Sequence, residues 1–129
     1  MLSNTLQIAC LCEAVFNIVM TYLYWKLPVM MWSPVLLSED VRIEQKSISN
    51  SLWAMMMSVE STMLLHVYWS NSISALRSVY IGMLMGEYFV AIAMLNTGKL
   101  SLRRVGVWQF MIGLSVFAAW RHYALYYLI

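Results

Sequence analysis

Three glutamates, Glu13, Glu60 and Glu87, each sit near the middle of a different long apolar stretch of a chain that is 62% hydrophobic and only 11% charged. A carboxylate at mid-membrane depth costs roughly 2.5–3.5 kcal/mol on insertion scales, so such residues face a bundle interior and mark a pathway or site. A buried group of carboxyls can hold a carboxylic acid donor beside a carboxylate base at neutral pH, the pairing that general acid/base chemistry needs. Proton carriage is the other use of the same set. Hydrogen bonding as glue between helices is the structural use, with Asn17 and Tyr80 as partners.

Spacing gathers further polar groups around these carboxyls. Cys10, Glu13, Asn17 and Thr21 follow i, i+3, i+4 steps and form one stripe. Asn50, Trp53, Met57 and Glu60 share a second face, and Tyr80, Met83, Glu87, Ala91 and Met94 a third. The last stretch brings positive charge, Arg121 and His122, with Ser115 on the stripe of His122. Neighbouring helical residues point about 100° apart, so one of Arg121 and His122 is expected to face the centre. The candidate catalytic set is therefore Glu60, Glu87, Glu13, His122 and Arg121. The candidate substrate contacts are Asn17, Trp53, Met57, Tyr80, Met83 and Ser115.

Positioning these residues requires membrane-spanning helices. The chain has 129 residues, with twelve methionines, six tryptophans and eight tyrosines, and its mean hydropathy is +0.70. This is the profile of one integral membrane domain. Each span needs about 20 apolar residues, and four are drawn at 4–25, 49–69, 75–95 and 105–128, with a polar connection at 26–48. Near-continuous apolar runs such as 14–20 and 83–95 favour helices over the alternating strands of a barrel. The expected fold is all-α, a four-helix transmembrane bundle running up-down-up-down.

Lys26, Arg42 and Lys46 fall in the first connection and Lys99, Arg103 and Arg104 in the third, against Arg77 alone in the second. The positive-inside rule makes the first and third cytosolic and both termini lumenal, with the endoplasmic reticulum as the expected membrane. The first stretch lacks a basic leader and contains Glu13 and Asn17, which reads as a retained helix rather than a cleaved signal. Pro28 and Pro34 break the chain after Trp25, and Ser38-Glu39-Asp40 is expected to open a short amphipathic surface helix ending near Lys46. The 70–74 turn makes the second and third helices antiparallel neighbours, and Asn96-Thr97-Gly98 stops the third. Tyr22, Tyr24, Trp25, Tyr68, Trp69, Trp120, Tyr123, Tyr126 and Tyr127 are expected as interfacial anchors, and Gly82 with Gly86 as a site of tight helix packing or dimerisation. Cys10 and Cys12 fit neither metal-ligand nor disulfide spacing. We expect no metal, no cofactor and no nucleic acid.

A glutamate midway along the first helix, Glu13, is also found in small multidrug resistance transporters, but Glu60, Glu87, Arg121-His122 and the long first connection depart from that family. In size, topology and the segments Ser58-Val59-Glu60-Ser61, Gly86-Glu87-Tyr88 and Trp120-Arg121-His122-Tyr123, the chain resembles small DoxX-like four-helix membrane proteins. It is similar too to short multi-pass epoxide hydrolases or cyclases of fungal polyketide and terpenoid pathways. The resemblance implies a membrane enzyme of secondary metabolism that opens or cyclises an epoxide on a lipophilic small molecule. The competing expectations are a proton-coupled small-molecule transporter, working as an oligomer, and a non-catalytic scaffold or accessory subunit that gathers other membrane enzymes; the expected protein partners are other membrane enzymes or a second copy in a homodimer.

Overall fold

The computed structural model describes residues 1–34, 48–96 and 105–129, and all of its regular structure is helical. Helix α1 covers Asn4–Lys26, α2 Pro28–Trp32, α3 Ile48–Ser70, α4 Ile73–Asn96 and α5 Val105–Tyr123, which continues as a π-helical turn over Ala124–Leu128. The four long helices lie over the four apolar stretches. The surface helix expected at 38–46, the Thr97-Gly98 stop and the basic residues Arg42, Lys46, Lys99, Arg103 and Arg104 lie outside the described residues.

Local chemistry sets the ends. Ser3 caps α1, its hydroxyl accepting from the Leu6 N–H at 3.4 Å. Pro28 has no N–H and restricts the residue before it, so α1 stops and Pro28 starts α2 at a first-turn position, where a missing donor costs nothing. The short α2 then turns Trp32 inward. Its Nε1 donates to Asn50 Oδ1 at 2.8 Å, and Asn50 Nδ2 donates to the Tyr24 carbonyl at 3.0 Å, tying the end of α1 to the start of α3.

Between α3 and α4 the chain reverses at Asn71, a non-glycine residue at φ 52°. Its Oδ1 accepts from the Leu2 N–H at 2.7 Å and from Gln7 Nε2 at 3.1 Å, fastening the N-terminus to the turn. Asn tolerates this left-handed conformation better than other side-chain-bearing residues. Asn71→Ala is expected to lower stability by about 1–3 kcal/mol through strain and two lost hydrogen bonds. Asn71→Gly should recover only the strain, and thermal unfolding in mild detergent separates the two.

α1 packs most extensively along α3, and α4 packs against both α3 and α5. The buried face of α1 is Leu6, Cys10, Glu13, Ala14, Asn17 and Tyr24. One apolar cluster joins Leu6, Cys10, Leu64, Val67, Leu76 and Tyr80, and a second joins Tyr24, Trp32, Ala54 and Val107. Polar groups are buried too: Glu13, Asn17, Asn50, Ser61 and Arg121. The outer surface is apolar, with Ile8, Val15, Ile18 and Val19 exposed on α1, Met85, Phe89 and Ile92 on α4, and Ile112 and Val116 on α5. Among the described residues α1 and α4 are long and apolar enough to cross a membrane. α3 and α5 carry more polar groups, among them Asn50, Ser58, Glu60, His66, Gln109 and Arg121.

Two packing expectations are corrected. Tyr24 is buried in the second apolar cluster rather than exposed as an anchor, and the half-buried Trp120 turns its Nε1 inward to Glu13. Gly82 and Gly86 seat no helix among the described residues, because a Cβ built at either meets nothing within 4 Å. The close approach is at Gly106, where a Cβ would collide with the backbone of Pro34.

Candidate functional site

Arg121 is the organising residue. It projects from the last turn of α5 into the bundle and is 3% exposed. Its Nη2 donates to Glu13 Oε2 at 2.7 Å, and its Nη1 donates to Glu87 Oε1. The guanidinium fork thus bridges α1, α4 and α5, a geometry that a single ammonium does not reproduce. Its carbon lies 5.6 Å from the Tyr80 ring centroid and 5.5 Å from that of Phe117, within cation–π range.

Glu13 is the most heavily bonded of the carboxyls. Its Oε1 also accepts from the Tyr80 hydroxyl at 2.9 Å and from Trp120 Nε1 at 3.1 Å. Glu87 is held by Arg121 through one oxygen, while its Oε2 is buried without a hydrogen-bond partner. Glu60 makes no ion pair with Arg121; its Oε2 accepts a long 3.4 Å bond from Asn17 Nδ2. One guanidinium therefore pairs two of the three carboxyls, and Glu60 is the one left outside the ion-paired set.

Beside this network lies a cavity of about 250 Å³. Asn17, Glu60, Glu87 and Arg121 supply its polar wall. The remainder is aromatic and methionine-rich: Phe16, Met20, Tyr24, Trp53, Met56, Met57, Phe110 and Phe117, with Gly86, Val90, Gln109, Gly113 and Leu114. A small, largely apolar chamber with a few convergent polar groups is the usual form of a small-molecule site.

The structure brings Glu60, Glu87, Arg121, Asn17, Trp53 and Met57 to the cavity wall. Glu13, Tyr80 and Met83 lie outside that wall, around Arg121; Met83 Sδ is 3.8 Å from Arg121 Nη2. They support the guanidinium rather than line the chamber. His122 and Ser115 are kept apart from the cavity, which corrects their expected place. Since Arg121 faces inward, His122, about 100° further round, is exposed and pairs with the Tyr88 hydroxyl at 2.6 Å. Ser115 is exposed and donates to the Met111 carbonyl at 2.8 Å, its bond closed within its own helix.

Trp120, Phe16, Phe110, Phe117 and Gly113 were not singled out as site residues by the sequence. A readable signal existed for α5: Phe110, Gly113, Phe117, Arg121 and Ala124 follow three- and four-residue steps and mark its inward face. Among the described residues no His, Cys, Asp and Glu group is arranged to hold a metal ion, and Cys10 and Cys12 are free thiols.

Fold and site together define an all-α protein with an apolar exterior, a buried carboxylate–guanidinium network and an adjoining lipophilic chamber. Compared with protein-family models, curated proteins and solved structures, the chain matches none of them.

Proposed function

We propose that the protein is a membrane-embedded enzyme that acts on a lipophilic small molecule by acid/base chemistry. The observation that carries this reading is the placement of Glu60 and the Glu87–Arg121 pair on one polar wall of an otherwise apolar chamber. All four long helices cross the bilayer in this reading. The apolar outer surface meets lipid, and the polar residues of α3 and α5 are shielded within the bundle. The basic first and third connections face the cytosol, so both termini are lumenal, in the endoplasmic reticulum.

The reaction that suits this wall is opening of an epoxide by water or by a hydroxyl of the same molecule. Glu60, outside the Arg121 ion pairs, carries a proton and passes it to the epoxide oxygen as the C–O bond breaks. Glu87, held by Arg121, takes the proton of the attacking O–H as the new C–O bond forms. Water gives a diol and an internal hydroxyl gives a cyclic ether. Return of the proton from Glu87 to Glu60 resets the site. Arg121 fixes Glu87 in place, and Glu13, Tyr80 and Trp120 fix Arg121.

The test is metabolite profiling of the producing organism with the gene deleted and then complemented by wild type, Glu60→Gln or Glu87→Gln, each checked for membrane expression. Well-expressed variants that accumulate the same precursor as the deletion support the reading, and that precursor identifies the substrate. Glutamine variants that restore the wild-type profile overturn it and make these carboxyls structural.

A further inference from the structure

The seams between the helices around the chamber are closed unevenly. α1 packs along α3, and α4 packs against both α3 and α5, where Arg121 also pairs with Glu87 and Tyr88 bonds His122. Among the described residues α1 and α5 meet mainly through side-chain tips. Trp120 on α5 donates to Glu13 on α1, and one turn further along the rings of Phe16 and Phe117 lie 5.3 Å apart. These two contacts set an antiparallel register whose next step brings Met20 opposite Gly113. Gly113 has no side chain to close that step, and a Cβ built on it meets nothing within 4 Å. Phe16, Met20, Gln109 and Gly113 all line the chamber. Yet Phe16 is 42% exposed and Gln109 is exposed as well, so the chamber wall and the outer surface run together along this seam.

We infer that the α1–α5 seam is a lateral portal, through which an uncharged lipophile dissolved in the hydrocarbon layer enters the chamber past Gly113. The inference rests on the reading of the long helices as membrane spans and of the chamber as a substrate site. To that reading it adds where the substrate comes from and which residue limits its width. Phe16 and Met20 lie within about 8 Å of the midpoint of α1 along its axis, inside the roughly 15 Å half-thickness of the hydrocarbon core. A charged molecule has to shed its water to reach that depth, so the portal selects uncharged substrates. The Phe16 and Phe117 rings bound the opening on one side. Met20, unbranched and flexible, can swing aside as a ligand passes. Gly113 sets the specificity, because any side chain there narrows the passage without touching the carboxyls or Arg121.

The probe is a phosphatidylcholine carrying a diazirine at the end of one acyl chain, built into nanodiscs around the full chain. Irradiation yields a carbene that inserts into whatever it touches, and peptide mass spectrometry locates the adducts. Adducts are expected on the chamber residues Trp53 and Met57, besides those on the outer residue Phe89. Gly113→Phe should lower the chamber adducts by about tenfold or more relative to Phe89, because a phenyl ring and an alkyl chain cannot share the opening. Phe16→Ala widens the rim and should raise them. Gly82→Phe, on an exposed part of α4 away from the chamber, should leave them unchanged. A water-soluble trifluoromethyl-diazirinyl benzoate should leave the chamber unlabelled. Chamber adducts indifferent to both Gly113→Phe and Phe16→Ala, or labelling by the benzoate alone, overturn the portal while the chamber remains a small-molecule site. Labelling by neither probe overturns the chamber reading and the portal with it. Failure of the acid/base reading is separate: it shows in the metabolite profiles of Glu60→Gln and Glu87→Gln and leaves the lipid adducts in place. Where Gly113→Phe fails to fold, Phe16→Ala, at an exposed position, decides the question.

Discussion

Replacing Arg121 with methionine is expected to cost about 3–5 kcal/mol of stability, enough to eliminate monodisperse protein in mild detergent. The substitution keeps a long apolar side chain but removes the one cation shared by Glu13 and Glu87. Glu13 would retain donors in Tyr80 and Trp120. Glu87 would lose its bond from Arg121 while its other oxygen is already unpaired. An uncompensated charge in the interior costs far more than the intact pair contributes, and that asymmetry makes the loss large. Arg121→Lys should fall between, because one ammonium cannot fork to two carboxylates or stack between Tyr80 and Phe117. Combining Arg121→Met with Glu13→Gln and Glu87→Gln should recover much of the loss by removing the stranded charges. Yield and thermal midpoint in mild detergent read all three. A single Arg121→Met variant as stable as wild type would show that the bridge does not hold α1, α4 and α5 together.

What was legible in the sequence follows from what periodicity encodes. The run Cys10, Glu13, Asn17 is buried as its spacing requires, since a single helix fixes which of its own residues share a side. Periodicity does not say how one helix is rotated against another. The choice between Arg121 and His122, adjacent in sequence, was open until α5 was placed against α4. Trp120 raised the same difficulty: an indole near a helix end reads as an anchor, and only the approach of Glu13, 107 residues earlier, gives it another role. The junction of Tyr24, Trp32 and Asn50 depends on α2 folding back after Pro28, and Asn71 meets Leu2 across 69 positions. No local pattern carries contacts of that range. The Gly82/Gly86 spacing meets no helix among the described residues for a related reason, because small residues permit a close approach without supplying the partner.

Glu60→Gln should separate chemistry from architecture most cleanly. Glu60 lies outside the Arg121 ion pairs, and a glutamine oxygen can still accept from Asn17 Nδ2, so the fold should keep its thermal midpoint. A glutamine cannot pass a proton to a breaking C–O bond. Loss of a positioned general acid lowers rates by about 10²–10⁴-fold, and turnover of the precursor in isolated membranes should fall by that amount per unit of folded protein. Glu60→Asp keeps the proton but withdraws it by one methylene, so partial activity is expected. Glu13→Gln should behave in the opposite way, losing stability first because it weakens the support of Arg121 from outside the chamber wall. Turnover by Glu60→Gln within about threefold of wild type would remove Glu60 from the reaction, since general acid catalysis contributes far more than that. The chamber would then be a binding site whose chemistry, if any, belongs to Glu87 and the guanidinium that holds it.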